Sequence, residues 1–205
     1  MGTRFASVSE SAALLGALFY RDPTSEACAD VVSWIEGADP AAWEFGQPDA
    51  ALAIEGMQAA LASEDAQSVH KAYNRLFIGP YALPAPPWGS VYTDPEGVIF
   101  GNLTLSLRSW MRENGVEMRL PDKEPEDHFG LMLMMLSWSC DKVDDDAIAD
   151  LLENYLLPWA PRFLELFVEG ADDAFYESLG ALAQATLADW RSCFDLNPPA
   201  IRLSR

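Results

Sequence analysis

The chain has 205 residues, half of them apolar, which is enough to bury a sizeable core. Its 32 acidic residues against 13 Lys and Arg leave a net charge of −19, which repels nucleic acid and anionic membrane surfaces and either draws in a cationic partner or serves only to keep the protein soluble. No run of 18 consecutive apolar residues occurs, so no membrane insertion is expected, and Glu10 together with the single cation Arg4 is wrong for a secretory signal, so the expected location is cytoplasmic.

Helical periodicity runs through the chain. Ser7 and Glu10 have capping-box spacing, and Leu14, Leu15, Leu18 and Phe19 follow on one helical face up to Asp22-Pro23. Val31, Val32, Trp34 and Ile35 predict a second helix closing near Gly37, followed by a loop to Asp49 and a third helix from about Pro48 to Leu61. Val69, Ala72, Tyr73, Leu76 and Phe77 share a face of a fourth helix, stopped by Gly79-Pro80. The stretch from about 79 to 101 carries Pro80, Pro84, Pro86, Pro87 and Pro95 and is predicted to be a long non-helical loop. Its aromatic residues argue against disorder, and a loop of that length in a folded domain is usually functional. Leu103, Leu107, Trp110 and Met111 predict a further helix ending at Gly115. Pro125 is placed at a first helical position, with Glu126 and Asp127 in the first turn where the helix dipole favours acids. Asp141 to Asp146 reads as an acidic turn. Leu151, Leu152, Tyr155 and Leu156 form another apolar face broken by Pro158, a helix with Phe163, Leu166 and Phe167 follows, and a last one carries Phe175 to Trp190. Neither period-2 alternation nor a βαβ rhythm is present. The expected fold is an all-α, single-domain bundle of about eight to ten helices spanning 1–205.

Cys28, Cys140 and Cys193 have no metal-ligand spacing and read as free thiols, mostly buried, in a reducing compartment. Nucleotide and hydrolase motifs are missing, and two histidines, His70 and His128, cannot build a histidine-rich metal site. Neither cofactor nor metal is expected. Two segments remain. In Glu124-Pro125-Glu126-Asp127-His128-Phe129-Gly130, the acids either complement a helix dipole or accept guanidinium groups, which match carboxylates bidentately. In Tyr73 to Tyr81 and Pro86-Pro87-Trp88, the rings either fill the core or line a stiff apolar wall for a peptide. Met132, Met134 and Met135 read first as core.

These residues carry a resemblance to the TorD/DmsD family of redox enzyme maturation proteins. It rests on Ala17-Leu18-Phe19-Tyr20, Arg75-Leu76-Phe77-Ile78-Gly79-Pro80, Leu83 through Val91, Phe100-Gly101, the 124–130 segment, Leu157-Pro158-Trp159 and Arg162-Phe163-Leu164. The resemblance implies an all-helical fold, no enzymatic activity, and a chaperone that binds the twin-arginine signal peptide of a molybdenum oxidoreductase catalytic subunit. The expected client is dimethyl sulfoxide reductase, held back from export until it is mature. It implies peptide-binding positions at Tyr73, Leu76, Phe77, Tyr81, Gly101, Pro125, Asp127 and His128, to which Pro87, Trp88, Glu124 and Glu126 are added from the reading above. Components of the Tat translocase enter as second partners, and a monomer is expected, with a domain-swapped dimer as its alternative. A guanine nucleotide or a cofactor precursor finds no phosphate loop here. Two other readings stay open: a scaffold that docks a folded partner, and a hydrolase using Asp127 and His128 as acid and base.

Overall fold

The computed structural model describes residues 4–63, 66–119 and 124–205. Among the described residues are ten α-helices and no strand, the all-α class expected. In chain order they are α1 (Val8–Tyr20), α2 (Ala29–Gly37), α3 (Asp49–Ser63), α4 (Ala66–Tyr73), α5 (Gly89–Thr93), α6 (Asn102–Glu113), α7 (Phe129–Ser139), α8 (Asp145–Asp150), α9 (Ala160–Gly170) and α10 (Ala174–Cys193). Helices α4 and α8 run on into π-turns, Asn74–Ile78 and Leu151–Leu156. Contacts gather into two compact units. The first comprises Met1–Gly16, Pro87–Pro161 and Leu196–Arg205; the second comprises Ala17–Pro86 and Arg162–Asp195.

The first unit is built around α7. That helix is apolar on nearly every side, so its burial cannot be one-faced; Phe129, Gly130, Leu131, Met132, Leu133, Met135 and Leu136 are all buried. The N-terminal part of α1 crosses it closely: a Cβ on Gly16 would lie 2.9 Å from the Gly130 carbonyl and 2.8 Å from the Met134 side chain. Trp159 fills the space beside α5, stacked on Tyr92 at 5.6 Å and meeting Phe129 edge-on at 6.1 Å.

The second unit is organised by α3 lying along α10, where Gly56 permits close approach: a Cβ there would sit 2.4 Å from the Ser178 hydroxyl. Its aromatic cluster joins Phe19, Phe77, Phe167 and Tyr176, with ring centroids 5.1 to 6.4 Å apart. Such edge and tilted contacts add to the area that the rings bury. The buried Trp43 indole donates to the Thr186 hydroxyl at 3.0 Å.

Three expectations need correction. The stretch 79–101 is not free of helix, because α5 occupies its proline-free part, Gly89–Thr93. The helix expected to begin at Pro125 begins at Phe129, with His128 as its N-cap in extended conformation. The Phe129 amide is taken by the Pro87 carbonyl at 2.7 Å, and the chain before it is held by side-chain bonds described below. The acidic turn ends at Asp144, which caps α8, so Asp145 and Asp146 are helical and suit its positive end. Of the thiols, Cys28 and Cys140 are buried and Cys193 is exposed. Burial pushes the Cys140 thiol up to about 12, so it behaves as an inert apolar group.

Candidate functional site

In the first unit the 124–128 segment lies against α5 and α6. Asp127 is fully buried. Its Oδ2 accepts the Ser90 amide at 2.7 Å, its Oδ1 accepts the Thr104 hydroxyl at 3.0 Å, and its carbonyl accepts the Gly89 amide at 3.0 Å. Thr104 thus spends its proton on the carboxylate, so in the 2.9 Å contact between the hydroxyls Ser90 must donate. Trp88, the N-cap of α5, makes no side-chain cap of its own. Asp127 supplies that function from 37 residues away. Gly101 fits the same corner: a Cβ there would lie 3.0 Å from an Asp94 oxygen and 3.1 Å from the Ser90 Cβ.

His128 is buried beside it. Its Nδ1 accepts the Gly130 amide at 3.1 Å, capping α7, which puts the neutral ring's proton on Nε2. Burial pushes this histidine down to about 3. Its ring meets Trp88 edge-on at 6.1 Å. Asp127 and His128 do not bond as an acid–base pair; both carboxylate oxygens face Ser90 and Thr104. The hydrolase reading therefore has no dyad to use.

The other two acids are half-buried. Glu124 accepts the Trp88 indole N–H. Glu126 takes Arg108 Nε on both oxygens, at 2.9 and 2.8 Å, with a further guanidinium nitrogen at 2.8 Å. The hydrogen bond to Glu126 holds the guanidinium above its usual value. The same guanidinium lies 5.6 Å from the Phe100 ring centroid. An arginine of the chain itself pairs with Glu126, and Asp127 serves α5. Pro87 and Pro125 are buried, and their carbonyls accept the Phe129 and His128 amides.

Sequence reasoning missed the apolar surface next to that ion pair. Val98, Ile99, Phe100 and Leu105 are exposed, and Phe100 has a φ of 60°, a conformation that bulky side chains seldom adopt. The Phe100-Gly101 pair was the available signal in the sequence; the exposure was not legible from it.

In the second unit the candidates divide by burial. Leu76 is fully buried and Phe77 lies in the aromatic cluster, so both are core. Tyr73 is half-buried, with its hydroxyl donating to the Tyr20 carbonyl at 3.1 Å and its ring 5.3 Å from Phe77. Tyr81 is 86 % exposed and Ile78 64 %. The π-turn that carries Ile78 is braced by Arg75, whose guanidinium donates to the Gly170 carbonyl at 2.6 Å and to the Ala171 carbonyl. Gly79 closes the turn at a φ of 105°, which favours glycine.

Among the described residues, no group of three or more potential metal ligands is present, and no helix is long and apolar enough to cross a membrane. The sequence profile of the family described as nitrate reductase delta subunit matches residues 46–165. The chain is 44% identical over 182 residues to the Tat proofreading chaperone DmsD of Salmonella typhi, covering 89% of this chain and 88% of that one. It is 29% identical to the chaperone protein YcdY of Escherichia coli, with 85% and 89% covered. A crystal structure of a redox enzyme maturation protein from Archaeoglobus fulgidus superposes with a TM-score of 0.60 at 19% identity, over 88% of this chain and 93% of that one, which is a likeness of fold.

Proposed function

Because the chain belongs to the TorD/DmsD family of redox enzyme maturation proteins, a family of chaperones rather than enzymes, we propose that it is a Tat proofreading chaperone. It binds the twin-arginine signal peptide of a molybdenum oxidoreductase catalytic subunit, with dimethyl sulfoxide reductase as the client, and supports its maturation in the cytoplasm before export. It acts as a monomer, with Tat translocase components as second partners. The observation that carries this reading is the 44% identity to a protein of that name over 89% of the chain. The net charge of −19 supports it, since a leader with paired arginines is drawn to such a surface.

The side chains proposed to meet the leader are those with surface to offer. In the first unit they are Trp88, Glu124 and the Glu126–Arg108 pair with Phe100; in the second they are Tyr73, Tyr81 and Ile78. Leu76, Phe77, Pro87, Gly101, Pro125, Asp127 and His128 hold the backbone on which these stand. Apolar burial contributes roughly 25 cal/mol per Å2, so a few hundred Å2 outweighs exposed ion pairs worth about 0–1 kcal/mol each. The apolar contacts should set the affinity, and charge should set orientation and speed.

Titration calorimetry with a synthetic leader tests this one patch at a time. Tyr81→Ala and Trp88→Ala should each weaken binding about tenfold, and Glu124→Gln less. Replacing both leader arginines by alanine should also weaken it. A folded chain that ignores every one of these changes, or binds no leader at all, overturns the reading. Pull-down of the client with and without its leader separates it from the scaffold reading, which requires retention of the leaderless form.

A further inference from the structure

The segment Leu196–Arg205 belongs to the first unit and forms a strap without regular secondary structure. Leu196 is buried. The Asn197 amide donates to Glu153 Oε1 at 2.6 Å. Seven residues on, the Ser204 amide donates to the Tyr92 carbonyl at 2.8 Å and its hydroxyl to the Asp94 carbonyl at 2.5 Å. Between these anchors Pro199, Ala200, Ile201 and Arg202 are exposed. The strap borders an open cleft of about 340 Å3. Leu103, Pro158, Trp159 and Asn102 line it, and the strap's own Pro199 and Ile201 complete the lining.

Three properties of this arrangement are those of a bound peptide rather than a core element. The anchors fall mostly on the backbone, which reads an extended chain with little regard to its side chains. Pro198 and Pro199 favour extended conformation and carry no N–H that departure would strand. The strap holds Arg202 and Arg205 and no acid, in a chain of net charge −19. It is received by a turn containing Asp94 and Glu96 at one end and by Glu153 at the other.

We propose that this face of the first unit is a peptide-binding surface for an extended segment that combines apolar residues with arginines, and that Asn197–Arg205 occupies it as a tethered competitor. A tether supplies an effective concentration in the millimolar range, so an incoming peptide must displace a ligand already present. The inference stands apart from the leader reading, because its probe is the strap's own sequence.

The test is fluorescence anisotropy with a labelled peptide spanning residues 196–205, against the full chain, a chain ending after Asn197, and full-length Ser204→Pro. Ser204→Pro removes both bonds to the α5 end without shortening the chain. The shortened chain should bind the peptide at least about tenfold more tightly than the full chain, with Ser204→Pro between them. A peptide with both arginines replaced by alanine should bind more weakly at low salt. Equal binding by the full and shortened chains, or no binding by a shortened chain of unchanged helical content, overturns the proposal. If shortening unfolds the protein, Ser204→Pro decides: no tightening over the full chain overturns it. Concentration-dependent dimers that vanish on shortening would also overturn it, by making a second copy the occupant. Absence of leader binding with the tethered competition intact would sink the proposed function and leave this inference standing.

Discussion

Asp127 is a fully buried carboxylate whose oxygens are both spoken for, one by an amide and one by a hydroxyl. Removing it leaves two donors buried without acceptors, so Asp127→Ala should lower stability by about 3–5 kcal/mol in denaturant unfolding. Asp127→Asn keeps one acceptor but turns an NH2 towards the other donor, and should cost roughly half as much. If Asp127→Ala unfolds at the wild-type midpoint, the carboxylate does not hold α5. His128 makes the next prediction. A histidine in the unfolded chain takes up a proton near pH 6.5, and in the fold burial keeps this one neutral to about 3. Between those values the unfolded state binds the extra proton, so stability falls as pH drops, by at most about 1.4 kcal/mol per unit, and is level above pH 6.5 for this group. His128→Asn offers an amide oxygen to the Gly130 N–H and should flatten the slope between pH 6.5 and 5, where most carboxylates stay ionised. His70 remains in both proteins, so the difference between the two slopes belongs to His128.

At the scale of elements, boundaries follow local chemistry where caps lie close in sequence and depart from it where they do not. The ends of α2, α3, α6, α9 and α10 fall within a few residues of the positions read from periodicity, glycine and proline, because those signals act within one turn. The start of α7 does not, since its position depends on the Pro87 carbonyl, and α5 depends on Asp127. The π-turn after α4 is equally illegible, because Leu76 and Phe77 are buried whether the ladder is α or π. Glycines inside helices give a sharp test of packing. At Gly16 a Cβ meets the Gly130 carbonyl and Met134 below 3 Å, so Gly16→Ala should destabilise by about 1–3 kcal/mol despite its better helix propensity. At Gly37 nothing lies within 4 Å, so Gly37→Ala should be neutral or stabilise by up to about 1 kcal/mol. Thermal unfolding of the pair checks both, and reversed signs would mean that α1 and α7 do not cross as described.

For the molecule as a whole, charge and apolar surface should separate in binding kinetics. With a net charge of −19 and an arginine-bearing leader, the association rate should fall as salt rises, since exposed charges are screened beyond about 8 Å at physiological ionic strength. Tyr81→Ala should instead act on dissociation. Stopped-flow measurement at low and high salt distinguishes the two, and a salt-independent association rate would remove charge from the account. From the sequence alone came the all-α class, most helix boundaries and the family, since periodicity, turn residues and composition are properties of neighbouring residues. Only the tertiary structure decided which of those side chains have surface to offer. Glu124, Glu126 and Asp127 are alike in sequence, yet one accepts an indole, one holds Arg108 and one is sealed against Ser90 and Thr104. The reason is that a carboxylate's role is set by the donors that folding brings to it, and here those donors lie 18 to 37 residues away along the chain.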